Sequence, residues 1–223
     1  MERLAHNRAA HTIALARLTL DEATAMVAQR LQSAPDADLM RRLHELSRGI
    51  PGALDALLVE WTGQDAIRTA DGHAFLGTGA AVPLLPEHDR YVAALRALEE
   101  PCGTVATALS ILWPLGRPAE ALVASSTGLP TESVTDGIRA LVDEGILDEL
   151  PGRDAASASR GWTFRVPLLA HTVRERLGPV RRSHLSAAAV EALWAGRGPG
   201  GTGNRAGAPS PTVTPADTGA APQ

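Results

Sequence analysis

The chain has 223 residues, 44% hydrophobic and 21% charged, which is enough for one or two domains with real cores and is ordinary for a globular protein. A net charge of −4 provides no overall basic field toward nucleic acid or an anionic membrane. One cysteine, Cys102, excludes an internal disulfide framework and fits a reducing cytoplasm, and the longest apolar run, 105–115, is far short of the roughly 20 residues of a bilayer crossing.

Near the start, Arg3, His6, Asn7 and Arg8 are not followed by an apolar stretch with a cleavage site, so no secretory signal is expected. Residues 11–18 alternate as a short strand, and Thr19-Leu20-Asp21-Glu22 opens a helix with acids in its first turn. Ala23, Met26, Val27 and Leu31 lie on one helical face, which Pro35 then interrupts. Leu39, Leu43 and Leu46 mark a second helix, ended by Ser47-Arg48-Gly49-Ile50-Pro51. Ala53, Leu54, Leu57 and Leu58 carry a third helix, closed by Gly63. Residues 66–69 and 73–76 flank Asp71-Gly72, the signature of a tight β-hairpin. Pro83 and Pro86 then keep the chain extended up to a helix expected from Glu87 to about Leu98, with Val92, Leu95 and Leu98 on its apolar face.

Residues 104–167 read as three helices and a two-stranded wing, that is, a winged helix. In the third helix, Val134, Ile138, Leu141 and Val142 fall at i, i+4, i+7 and i+8, so Leu141 belongs in the core and Arg139 on the opposite face. Pro130 suits its first turn and Gly145 the position past its end. Ile146-Leu147 and residues 162–166 form the wing strands on either side of a long tip that begins at Pro151-Gly152. A short helix over 168–177, an interruption at Gly178-Pro179 and an alanine-rich helix over 181–194 follow. From Gly196 onward the tail is built of Gly, Pro, Ala, Thr and Ser and is expected to be disordered. The fold expected is mainly α: a helical bundle, a β-hairpin, a winged helix and a disordered C-terminal tail.

Three short motifs stand in order: Leu18-Thr19-Leu20-Asp21-Glu22-Ala23 opening the bundle, Arg48-Gly49-Ile50-Pro51 between its second and third helices, and Phe164-Arg165-Val166-Pro167-Leu168-Leu169 leaving the wing. Over roughly residues 10–195 this order resembles the middle of the large bacterial LuxR-family regulators with an ATPase module, members of the STAND class of P-loop NTPases. The resemblance implies that residues 1–63 are the end of a nucleotide-binding domain and its helical lid, 64–86 a β-hairpin and linker, 87–177 the winged helix, 178–195 a C-terminal helix and 196–223 the tail. In that family the lid proline packs near the adenine, and the winged helix holds the nucleotide domain closed. Ile50 stands where the family often has Asn, and Val166 where it has His. No G-x-x-x-x-G-K-[ST] occurs, and no strand ends in the paired acids that hold magnesium. The C-terminal LuxR helix-turn-helix is not found either, so the chain reads as a cut-out piece: a gene remnant, a mispredicted start or a free-standing small regulator.

Arg48, Gly49 and Pro51 are the candidate cofactor-binding residues, as a vestigial nucleotide contact implied by the resemblance; the plain alternative is a helix stop and restart. Cys102 at a helix N-terminus is read as a small buried residue rather than a thiolate. The seven histidines form no H-x-x-x-H pair, and no metal site or catalytic residue is expected. Arg165, Arg174, Arg176, Arg181 and Arg182 form the basic concentration, either a contact surface or a solvated face. The function expected is a non-catalytic regulatory fragment acting by protein contact through lid and winged helix. Its partner is a protein or the missing nucleotide-binding domain, and ATP or ADP enters only if a P-loop domain is supplied. The alternative is a stand-alone DNA-binding winged-helix regulator. Against it stand Glu132, Asp136, Asp143 and Glu144 with only Arg139 on the third helix, and a wing tip that adds Arg153 and Arg160 around Asp154.

Overall fold

The computed structural model describes residues 16–112, 120–150 and 161–195, which are mainly helical with two small sheets. The first helix, α1 (Leu20–Leu31), begins at Thr19 with a reciprocal capping box: the Thr19 hydroxyl accepts from the Glu22 backbone N–H, and the Glu22 carboxylate accepts from the Thr19 N–H at 2.8 Å. The Thr19 N–H, and secondarily its hydroxyl, holds the Glu22 carboxyl below the usual range. A two-residue strand, β1 (Ala34–Pro35), precedes α2 (Ala37–Ser47), whose cap Asp36 accepts from the Leu39 N–H at 2.7 Å. In α3 (Pro51–Gly63) the proline opens the helix, where its missing N–H costs nothing. Trp61 of α3 is fully buried and donates its indole N–H to the Ala81 carbonyl at 2.8 Å, which fastens the extended segment after the hairpin.

The hairpin is β2 (Ile67–Ala70) and β3 (His73–Leu76), antiparallel, with Asp71 and Gly72 at φ 51° and 76° in the turn. Two successive positive φ values are what a two-residue turn matched to strand twist requires. The sequence reading took Pro35 only as a helix breaker, but β1 adds to the hairpin as a parallel edge strand with Ala34 opposite His73. Proline is tolerated there because an edge residue can forgo one ladder hydrogen bond. The Ala34 and Asp36 N–H groups donate to Gly72 and Ala74 at 2.9 and 2.8 Å.

The fourth helix, α4 (Arg90–Ala97), starts three residues after the expected Glu87. Asp89 caps it by accepting from the Tyr91 N–H at 2.9 Å, and Leu85 is held in the preceding segment by donating its N–H to the Thr172 hydroxyl at 2.9 Å. Glu87, freed from helix duty, pairs with Arg96 and, at 2.9 Å, with Arg176. Next come α5 (Cys102–Leu112), α6 (Glu120–Thr127) and α7 (Thr131–Asp143), then β4 (Leu147–Leu150) and β5 (Gly161–Phe164), which pair antiparallel with Leu147 opposite Phe164. The last helices are α8 (Pro167–Glu175) and α9 (Pro179–Ala195); α9 starts two residues earlier than expected because proline fits a first helical turn.

Cys102, Val105, Ala106, Ala108, Leu109, Ile111 and Leu112 of α5 are all buried, and α4, α6, α7, α8 and α9 pack around it. From the other side α2 packs against α8, so one continuous apolar core runs from α1 to α9. Among the described residues no helix is long and apolar enough to cross a membrane. The strand expected over 11–18 falls partly outside the described residues, and 16–18 form no strand; the wing tip and the tail from 196 also lie outside them.

Leu141 is fully buried and the Arg139 side chain is 65% exposed, as the helical period requires. Leu141→Ala should therefore cost about 2 to 5 kcal/mol, and Arg139→Ala no more than about 0.5 kcal/mol. Urea titration of both variants checks the register, and equal losses would reject it.

Candidate functional site

The three candidate residues sit at the junction of α2 and α3, and the fold gives each a different task. Arg48 closes α2 at φ 51°, with its N–H donating to His44 at 2.7 Å. Its guanidinium crosses to β5 and donates to the Thr163 hydroxyl at 3.0 Å, a group that is itself buried. Burial, followed by the nearby Arg17, pushes the Arg48 pKa down, while Asp148 opposes the shift. Gly49 is buried at φ 72°; its carbonyl accepts from the Leu18 N–H at 2.8 Å and its N–H donates to Ser47 Oγ at 3.2 Å. A β-carbon on Gly49 would run into the Leu18 carbonyl, so this glycine is fixed by close approach of two backbones. Pro51 is exposed and opens α3.

Pro51 borders an open cleft of about 690 Å³ between the α3 N-terminus, the entering segment at Arg17, the start of α4 and the β4–β5 sheet. Asp148 is its central acid. One of its carboxylate oxygens pairs with Arg17, and the other accepts from Arg165 Nε at 2.9 Å. Arg90 lies over the Tyr91 ring at 4.4 Å and bonds its hydroxyl. Three arginines against one aspartate make the wall electropositive, and no side chain caps the first turn of α3. The chemistry on offer is recognition of negative charge. Among the described residues the cleft wall includes no cysteine, histidine, serine or threonine.

The sequence reading named Arg48, Gly49 and Pro51 but not Arg17, Arg90 or Tyr91, which no local pattern distinguishes from surface residues. Asp148, on the first strand of the β4–β5 sheet, is the anchor of two arginines. The basic concentration is largely neutralised: Arg165 pairs with Asp148, Arg174 and Arg182 with Glu175, and Arg176 with Glu87, while Arg181 is exposed. Cys102 is buried, and that burial pushes its thiol up, which disfavours a thiolate. Among the described residues no group of three or more His, Cys, Asp or Glu side chains is placed to hold a metal ion.

Comparison with protein-family models, curated proteins and solved structures finds no match to this chain.

Gly49→Ala should cost about 1 to 2 kcal/mol for the left-handed backbone alone and more for the collision with Leu18, whereas Pro51→Ala should cost no more than about 1 kcal/mol. Thermal unfolding of the two variants separates them, and a tolerated Gly49→Ala would reject the close-approach role. A double-mutant cycle of Arg48→Ala with Thr163→Val should give a coupling of about 1 to 2 kcal/mol, the range for a hydrogen bond to a charged donor shielded from water. Zero coupling would show that Arg48 does not tie α2 to β5.

Proposed function

We propose that the chain is a non-catalytic regulatory piece of a LuxR-type STAND ATPase regulator, acting in the cytoplasm through protein contacts. In this reading α1–α3 are the helical lid, and α5–α7 with the β4–β5 hairpin are the winged helix. The observation that carries it is the seam between these units, where Arg48 meets Thr163 and Asp148 binds Arg17 and Arg165. The resembling family clasps a nucleotide between lid, winged helix and nucleotide domain; here the protein's own side chains clasp lid to wing.

The residues present do not fit a nucleotide's phosphates. Arg48 already gives a donor to Thr163, Gly49 is held by the Leu18 backbone, and Arg17 and Arg165 are paired with Asp148, so an anion in the cleft would meet arginines that are already engaged, Arg90 over Tyr91 and the first turn of α3. A nucleotide would need a P-loop domain supplied by a longer protein or by a partner, and that domain is the partner of this reading.

The DNA-binding alternative meets an acidic recognition face. On α7 the exposed residues include Glu132, Asp136, Asp143 and Glu144, and the exposed cation, Arg139, is held by Asp136 at 2.8 Å. A helix entering the major groove has to offer donors to base edges and cations to phosphates, and carboxylates facing phosphates forfeit the counterion-release gain.

Calorimetry of the purified chain should give a dissociation constant for ATP or ADP no tighter than about 1 mM, with no turnover, and a gel-shift with genomic duplex at about 0.1 M salt should show no complex. Micromolar nucleotide affinity would overturn the non-catalytic reading. A salt-sensitive shift lost on Arg139→Ala would promote the DNA-binding one.

A further inference from the structure

Arg42, in the middle of α2, is not engaged as its neighbours are. Its Nε is buried with no hydrogen-bond partner, and among the described residues its guanidinium makes no ion pair. The acids nearest to it along the helix are already taken: Arg41 binds Asp38 at 3.2 Å and Glu45 at 3.3 Å. A buried Nε–H of this kind is a poor structural element, because it loses water without gaining an acceptor.

Arg42 borders a crevice of about 250 Å³ between α2 and α8 that also receives Arg174. Arg174 donates through Nε to Glu175 at 3.4 Å, and its Nη2 lies 3.2 Å from His171 Nδ1, which leaves part of its fork of donors unspent. His171 Nε2 lies 3.2 Å from the Val82 carbonyl. Acceptance from Arg174 at Nδ1 calls for the neutral ring, with its proton on Nε2 toward the Val82 carbonyl, and burial, followed by Arg174 beside it, pushes its pKa down although the Val82 carbonyl opposes the shift. The other walls are apolar: Leu46, Val82, Pro167 and Ala170. Glu45, at the rim, is held by Arg41 and disfavours a second negative charge.

We propose that this crevice binds a small aliphatic carboxylate, with Arg42 and Arg174 receiving the carboxylate and Leu46, Val82 and Ala170 receiving the short chain. The volume lies just under the roughly 300 Å³ at which drug-sized pockets begin, which limits the ligand to a few heavy atoms. A carboxylate is preferred over phosphate because one negative charge satisfies the unspent arginine donors, while a dianion would be pressed against apolar walls and Glu45. The site is independent of the regulatory reading and of the cleft at Pro51.

Butyrate, inorganic phosphate and butylamine, each titrated into the full chain and followed by ¹⁵N spectra at the Arg42 Nε–H and by thermal shift, test the proposal. Butyrate is expected to move the Arg42 Nε–H resonance and raise the melting temperature, phosphate to act at least about 10-fold more weakly, and butylamine to do neither. Arg42→Gln should weaken butyrate binding by about 10-fold or more, the loss expected of a charge-assisted pair, and Arg139→Gln on α7 should leave it unchanged. No movement of the Arg42 resonance with butyrate, equal response to phosphate, or full affinity in folded Arg42→Gln would each overturn it.

Discussion

The constraint on which the rest depends is the burial of α5. From Cys102 to Leu112 it has no charged side chain, and all its residues except the partly exposed Gly103, Thr104 and Thr107 are buried, so five other helices are arranged around it. An apolar helix of this length gains its stability mainly from such packing, because it has no charged face to leave in water. The apolar stripe of α7 and the alanine-rich surface of α9 follow from that need. Gly137 of α7 sits where an added β-carbon would press on the Val105 side chain of α5, so the two helices meet closely.

A second level of organisation is polar and joins the N-terminal helices to this bundle. Thr172 on α8 accepts from the Leu85 N–H, Arg176 donates to the Leu85 carbonyl at 2.6 Å, and Trp61 holds Ala81. The irregular segment between hairpin and α4 is thereby fixed by groups from both halves, which satisfies backbone that no ladder or helix could serve. Arg48, Asp148 and Arg165 do the same on the opposite side. The two halves are thus held by bonds made at both edges of an apolar contact between α2 and α8.

These bonds also shape what the surface can recognise. Pairing Arg17 and Arg165 with Asp148 removes most of their appetite for an external phosphate, since a bound carboxylate would have to be displaced first. The exposed carboxylates of α7 give that helix an acidic face, and the cleft beside Pro51 opens between the start of α3 and the β4–β5 sheet. Among the described residues Arg42 keeps a buried Nε without a hydrogen-bond partner and makes no ion pair.

The sequence by itself determined the local elements. The 3.6-residue spacing of apolar side chains predicts α1, α2, α3 and α7, Asp71-Gly72 marks the hairpin, and the placement of Leu141 inward and Arg139 outward follows from the same period. These signals act within a few residues, so they survive without tertiary information. Gly49 and Pro51 were legible as a helix junction, but only the tertiary structure decided that Gly49 answers to the Leu18 backbone and that Arg48 answers to β5. The start of α4 moved from Glu87 to Arg90, where Asp89 caps it, and the segment before it is held by Thr172, a residue on α8. The parallel pairing of Ala34 with His73 carries no periodic signal in two residues, and Arg17 meets Asp148 across 131 positions of chain. Such contacts are set by how the helices pack around α5, a global balance of burial against chain entropy that no short window of sequence contains.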